Sequence, residues 1–151
     1  MLIRAGRLLV DRTAMMADNL GTLEGAGVGL DLRITADALI TNSVLSTDSS
    51  ALSGGRARDM RLMAGSVHLD FGTQIRSRTS GTGNAGSVVV EASHVALTGG
   101  AQISTRTFGS GQGGPIRITA TDSVTVDGQA PNGNPSIVSA ASLPAIGGGC
   151  P

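Results

Sequence analysis

The residues whose types could support chemistry fall into four sets. The first is a recurring polar position, Asp11, Asn42, Asp70, Thr98 and Asp127, met at the same point of successive repeating segments. Carboxylates gathered there could hold a cation or activate a water, and this is the best catalytic candidate in the chain. General acid–base work needs two carboxyl groups close together, and Thr98 separates Asp70 from Asp127. The pattern therefore reads as a ladder of turn residues, where short polar side chains bond the local backbone.

The second set is glycine. Gly81 to Gly86 (GTGNAG) and Gly109 to Gly114 (GSGQGG) both spell G-x-G-x-x-G. A dinucleotide site needs a helix straight after the glycines, because the pyrophosphate rests on its N-terminus. Here alternating strand residues follow, Val88-Val89-Val90 and Ile116-Arg117-Ile118, so the glycines read as structural turns. Neither run contains Asp, which removes the calcium-binding nonapeptide reading. No cofactor and no metal site is expected. The third set, His68 and His94, is out of register and has no Cys or second His nearby, so both read as outward-facing residues. No Ser/His/Asp arrangement can be assembled from spacing.

The fourth set gives the candidate ligand face: Arg76, Arg78, Thr79, Ser104, Thr105, Arg106 and Thr107, in the segments IRSRT and ISTRT. The repeat places Asp48 beside Arg78, and Arg78 beside Arg106. Such a face serves solubility, or it offers a broad surface to glycans or to another macromolecule.

These sets are positioned by a 28-residue unit. Arg58 to Ala85 and Gly86 to Gly113 align without a gap and share ten identities, among them Val67/Val95, Leu69/Leu97, Gln74/Gln102, Ile75/Ile103 and Arg78/Arg106. Gly114 begins the unit again with one added residue. A fixed period in this range indicates a solenoid. Within a unit, apolar residues alternate in short runs, such as Val88/Val90/Ala92 and Val95/Leu97, which is strand periodicity. Three short strands per unit, each stacked on its counterpart about 4.8 Å away, make a parallel β-helix. Columns such as Met60/Val88/Ile116 and Val67/Val95/Val124 fill its interior. One coil cannot bury its own apolar face, so the core exists only between coils.

The expected coils are 1–29, 30–57, 58–85, 86–113 and 114–141, with 142–151 an irregular glycine-rich tail. In the first coil Ile3, Ala5, Leu8 and Val10 are matched to Ile34, Ala36, Leu39 and Thr41. The last coil is expected to detour through Ala130 to Pro135, a turn-rich insertion. Met1 falls inside a repeat, which reads as a fragment of a longer product. The chain has two aromatic residues, Phe71 and Phe108, and suits a narrow interior of Val, Ile, Leu and Ala. Its formal charge is zero and it has no basic cluster of the kind that binds nucleic acid. Its one cysteine, Cys150, excludes an intrachain disulfide, and no apolar run approaches membrane-spanning length. The first residues place Arg4 and Arg7 within an apolar stretch, which makes a poor signal peptide.

The unit at Val88 to Gly114, with Ala101-Gln102-Ile103-Ser104-Thr105 and Phe108-Gly109-Ser110-Gly111, and the segment Gly128 to Gly133 (GQAPNG) resemble the repeats of bacterial filamentous-haemagglutinin-like exoproteins. The resemblance covers about residues 30–140. It implies a right-handed single-stranded parallel β-helix and a role in adhesion or surface structure. It also implies secretion with an outer-membrane partner and a place at the cell surface or outside the cell. Implied partners are surface glycans or proteins of a host or neighbouring cell and adjacent coils of a longer chain. The expectation is therefore a structural or adhesive segment without catalysis. A carbohydrate-active β-helix of the pectate-lyase type is the alternative, and it would need acidic residues on adjacent coils facing one groove.

Overall fold

The structure is a computed structural model, and it describes residues 1–20, 27–50 and 54–142. Those residues are all strand, turn and loop. The first coil holds β1 (Leu2–Ala5), β2 (Leu8–Asp11) and β3 (Ala14–Met16). The second holds β4 (Val28–Ile34), β5 (Asp37–Thr41) and β6 (Val44–Ser46), and the third β7 (Asp59–Met63), β8 (Ser66–Asp70) and β9 (Gln74–Thr79). In the fourth coil the first two strands merge into one, β10 (Val88–Leu97), followed by β11 (Gln102–Thr107). The fifth repeats this with β12 (Ile116–Val126) and β13 (Ile137–Ser142).

Every pairing between coils is parallel. One sheet joins the first two strands of all coils, and a second runs β13-β11-β9-β6-β3. The chain is thus a parallel β-solenoid. Its interior column Ile3–Leu32–Leu62–Val90–Ile118 advances by 29, 30, 28 and 28 residues. Alternation decides which side chains enter. In β7 the buried residues are Met60 and Leu62, and in β8 they are Val67 and Leu69. Met60/Val88/Ile116 and Val67/Val95/Val124 stack as the repeat requires, although Val124 on the last rung is 51% exposed. Wholly buried Leu, Ile, Val and Met side chains form one continuous core. Each such burial contributes about 1.5–3 kcal/mol relative to exposure.

The first coil corrects the sequence alignment. Ile3 lies beside Leu32, Ala5 beside Ile34, Leu8 beside Ala38 and Val10 beside Ile40. A single fixed offset fails there because the two strands are displaced by different amounts, 29 and 30 residues. Matching Leu8 to Leu39 would also put an outward residue into the core, since Ala38 is buried and Leu39 is not.

The glycine-rich returns close each coil at backbone contact. A Cβ on Gly111 would stand 2.1 Å from the carbonyl oxygen of Gly83, and one on Gly114 would stand 2.0 Å from that of Gly86. Only glycine lets successive returns approach so closely. In the last coil Ala130 to Pro135 forms the expected detour: Ala130 N–H donates to Asn134 O (2.8 Å) and Gln129 bridges Pro135. Ala130 tucks over Gly100, where a Cβ would stand 2.5 Å from that of Ala130. β13 then resumes the stack and runs one residue past the expected boundary at 141. Most of the expected turn at 21–29 and of the tail at 142–151 lies outside the described residues, as does Ser53 of the second return.

Candidate functional site

The second sheet carries the candidate face. In β9, Ile75, Ser77 and Thr79 are buried while Gln74, Arg76 and Arg78 alternate outward. In β11, Ile103, Thr105 and Thr107 point inward, and Gln102, Ser104 and Arg106 take the outward positions. Thr79, Thr105 and Thr107 therefore do not belong to an outer face, and Ser104, although outward, is only 5% exposed. Of the seven expected residues, Arg76, Arg78 and Arg106 remain as an outward cluster.

The buried hydroxyls have a structural task that explains their type. Gly86 N–H donates to Ser77 Oγ (2.8 Å), Gly81 N–H to Thr79 Oγ1 (3.3 Å) and Gly109 N–H to Thr107 Oγ1 (3.4 Å). Ser49 Oγ donates to Gly55 O (2.9 Å), and Thr105 Oγ1 to Gly114 O. The glycine-rich returns carry backbone polar groups that no strand satisfies, and a buried polar group without a partner is costly. Inward Ser and Thr meet that need.

On the outer side, position for position, Asp48 precedes Arg78, and Arg78 lies directly beside Arg106. The Asp48 carboxylate sits 3.1 Å from Arg76 Nε and accepts the backbone N–H of Arg78 at 3.0 Å. Asp18 does the same one coil earlier, accepting from Asp48 N–H (2.9 Å) and Ser46 Oγ (3.0 Å). Burial raises the Asp48 pKa; Arg76 opposes that shift and Asp18 adds to it. Burial and then Arg76 lower the Arg78 pKa, with Arg106 adding to the effect and Asp48 opposing it. Neither Arg78 nor Arg106 forms an ion pair among the described residues, and the Nε of each is buried without a hydrogen-bond partner.

The polar column on the first sheet resolves as a turn ladder. Its members are Asp11, Thr41, Asp70, Thr98 and Asp127, so Thr41 holds the place expected for Asn42. Asn42 instead belongs to the next column, Arg12, Asn42, Phe71, Gly99 and Gly128, all with positive φ. Asp70 Oδ1 accepts Phe71 N–H (2.8 Å), Asp127 Oδ1 accepts Gly128 N–H (2.7 Å), and Asp11 Oδ1 accepts Thr41 Oγ1–H (2.9 Å). The Asp70 and Asp127 bonds hold the left-handed turn that ends the second strand, and the Asp11 bond ties two neighbouring coils together. Successive carboxylates stand two strand spacings apart, roughly 10 Å.

Both G-x-G-x-x-G runs lead into strands, β10 and β12, rather than helices. His68 and His94 are exposed on the first sheet, His68 Nε2 3.0 Å from Thr98 Oγ1 and His94 Nδ1 3.1 Å from Ser123 Oγ. Among the described residues no three His, Cys, Asp or Glu side chains cluster closely enough to hold a metal, and no helix is long and apolar enough to cross a membrane.

One feature escaped the sequence reading. An open groove of about 920 Å³ runs along the elbow where the first strand of each coil bends into the second. Gly6, Thr35, Gly65, Ser93 and Thr121 line it, together with Arg4, Arg33 and Glu91. The recurrence of small residues at that bend is the signal that could have found it. Searches against protein-family models, characterised proteins and solved structures find no match to this chain.

Proposed function

We propose that this chain is a structural and adhesive segment of a haemagglutinin-like bacterial exoprotein, working at the cell surface or outside the cell and without catalysis. The observation that carries the reading is the unbroken third-strand ladder, β3-β6-β9-β11-β13. It builds a continuous outer surface from short coils, and alternation sends its hydroxyls inward to hold the returns while its arginines stay outside. A scaffold of this kind offers area along its axis. The acidic column supports the non-catalytic side of the reading, because its carboxylates are separated by Thr and engaged in turn or inter-coil hydrogen bonds. Fold alone does not decide function on so widely reused a scaffold, so a direct test is needed. Labelled chain is incubated with whole bacterial and epithelial cells, and separately with polygalacturonate. Saturable cell binding with intact polysaccharide is the expected result; shortening of the polysaccharide would overturn the reading in favour of a lyase or hydrolase.

A further inference from the structure

We infer that the Arg78–Arg106 pair on the outer face of the second sheet holds an oxyanion, the sulfate or carboxylate group of an acidic polysaccharide lying along the solenoid axis. The inference deepens the adhesive reading above and rests on it. Its basis is a column that reverses sign. Asp18, Asp48, Arg78 and Arg106 occupy one outward position on four successive coils. The acidic half is internally satisfied: each Asp accepts the backbone N–H of the next coil, and Asp48 also takes Arg76. The basic half is not. Two guanidinium groups stand one strand spacing apart, about 4.8 Å between backbones, with no carboxylate partner among the described residues and with each Nε buried and unbonded.

Like charges side by side are unfavourable, and more so where water is partly excluded. The lowered Arg78 pKa follows from the same burial and crowding. An oxyanion placed between the forks would receive charge-assisted hydrogen bonds from both. One guanidinium on this face already holds a carboxylate, Asp48 lying 3.1 Å from Arg76 Nε. The surroundings favour a polysaccharide over a bilayer. Gln74 and Gln102 flank the arginines on the two coils, and their outward amides suit sugar hydroxyls rather than acyl chains.

The test measures binding of the whole chain to dextran sulfate, to polygalacturonate and to neutral dextran, with vesicles of phosphatidylglycerol and phosphatidylcholine alongside. Wild type is expected to bind at least one of the two polyanions, the stronger one identifying sulfate or carboxylate, with affinity falling as salt rises, and to ignore neutral dextran. Arg78→Gln and Arg106→Gln should each weaken binding about tenfold, as expected for loss of a charge-assisted contact. Arg117→Gln, an exposed arginine on the first sheet, should leave it unchanged. Arg78→Lys/Arg106→Lys should keep part of the affinity, which separates lost charge from misfolding. Binding to neither polyanion, binding to vesicles alone, or equal losses in all three Gln variants would overturn the inference. Cell adhesion that persists in those cases would leave the adhesive reading standing.

Discussion

Gly109 lies so closely over Gly81 that a Cβ added to it meets the Gly81 carbonyl oxygen by its partners' backbones alone, at 1.9 Å. The obstruction is main chain, which cannot swing aside like a side chain. Gly109→Ala should therefore lower stability by about 1–3 kcal/mol, the usual cost of overpacking, as read by urea unfolding. Gly27→Ala has open space at its Cβ and a positive φ of 84°, so its loss should reflect backbone strain alone, about 1–2 kcal/mol. Equal tolerance of Ala at Gly109 and at an exposed strand position would mean that the returns do not stack.

The interior column makes a second prediction. Val95 is 1% exposed between Val67 and Val124. Val95→Asp places an unpaired carboxylate there and should cost about 3–5 kcal/mol. Thermal melts at neutral pH check it. A variant that melts like the parent would reverse the assignment of inward and outward faces.

Titration offers a third. Asp48 has a folded pKa raised above its ordinary value of 3.8, mainly by burial. The folded chain thus binds this proton more readily than the unfolded chain. Its contribution to stability is highest in acid and falls as pH rises from the ordinary value through the raised one. The stability of wild type relative to Asp48→Asn should therefore decline across that window. Asp31 works in the opposite sense: the hydrogen bond from Arg33 lowers its pKa, so stability from this group is lost as pH falls through the lowered value. A wild-type-minus-variant difference for Asp48 that rises with pH would contradict the burial argument.

Among the described residues, β12 pairs only with β10 and β13 only with β11. Val124, Val126, Ile137 and Val138 on that rung are exposed, as are Met1 and Leu2 on the first. Unpaired parallel edges beside apolar side chains recruit further strands. Light scattering across a concentration series should show self-association, reduced in Val124→Lys/Val126→Lys. A concentration-independent monomer would contradict this.

The middle coils were the most legible part of the chain, and the reason is physical. Residues 58–113 repeat without a gap, so identities such as Gln74/Gln102 and Ile75/Ile103 read out backbone neighbours directly. In the second coil the turn from Thr41 to Val44 is one residue shorter than that from Asp70 to Gln74, and the register drifts where no identity marks it. The 28-residue offset of the exact repeats points to Asn42, whereas β5 and β8 are displaced by 29 residues, so Thr41 takes the place beside Asp70. The candidate face was half legible. Arg76, Arg78 and Arg106 lie where the repeat set them, and alternation from Ile75 and Ile103 carries Thr79, Thr105 and Thr107 inward, but residue polarity alone assigns Ser and Thr to solvent. It has no means of showing that Thr79, Thr105 and Thr107 serve buried glycine returns.

The central claim is the register that sets each coil on the next, and through it Arg78 beside Arg106. Spin labels on Gln74→Cys and Gln102→Cys, in a Cys150→Ser background, test it most directly, because these residues are backbone partners in β9 and β11. Continuous-wave EPR should show strong dipolar broadening, as for sites one strand spacing, about 5 Å, apart. A doubly labelled chain whose spectrum equals the sum of its two singly labelled forms would contradict the account.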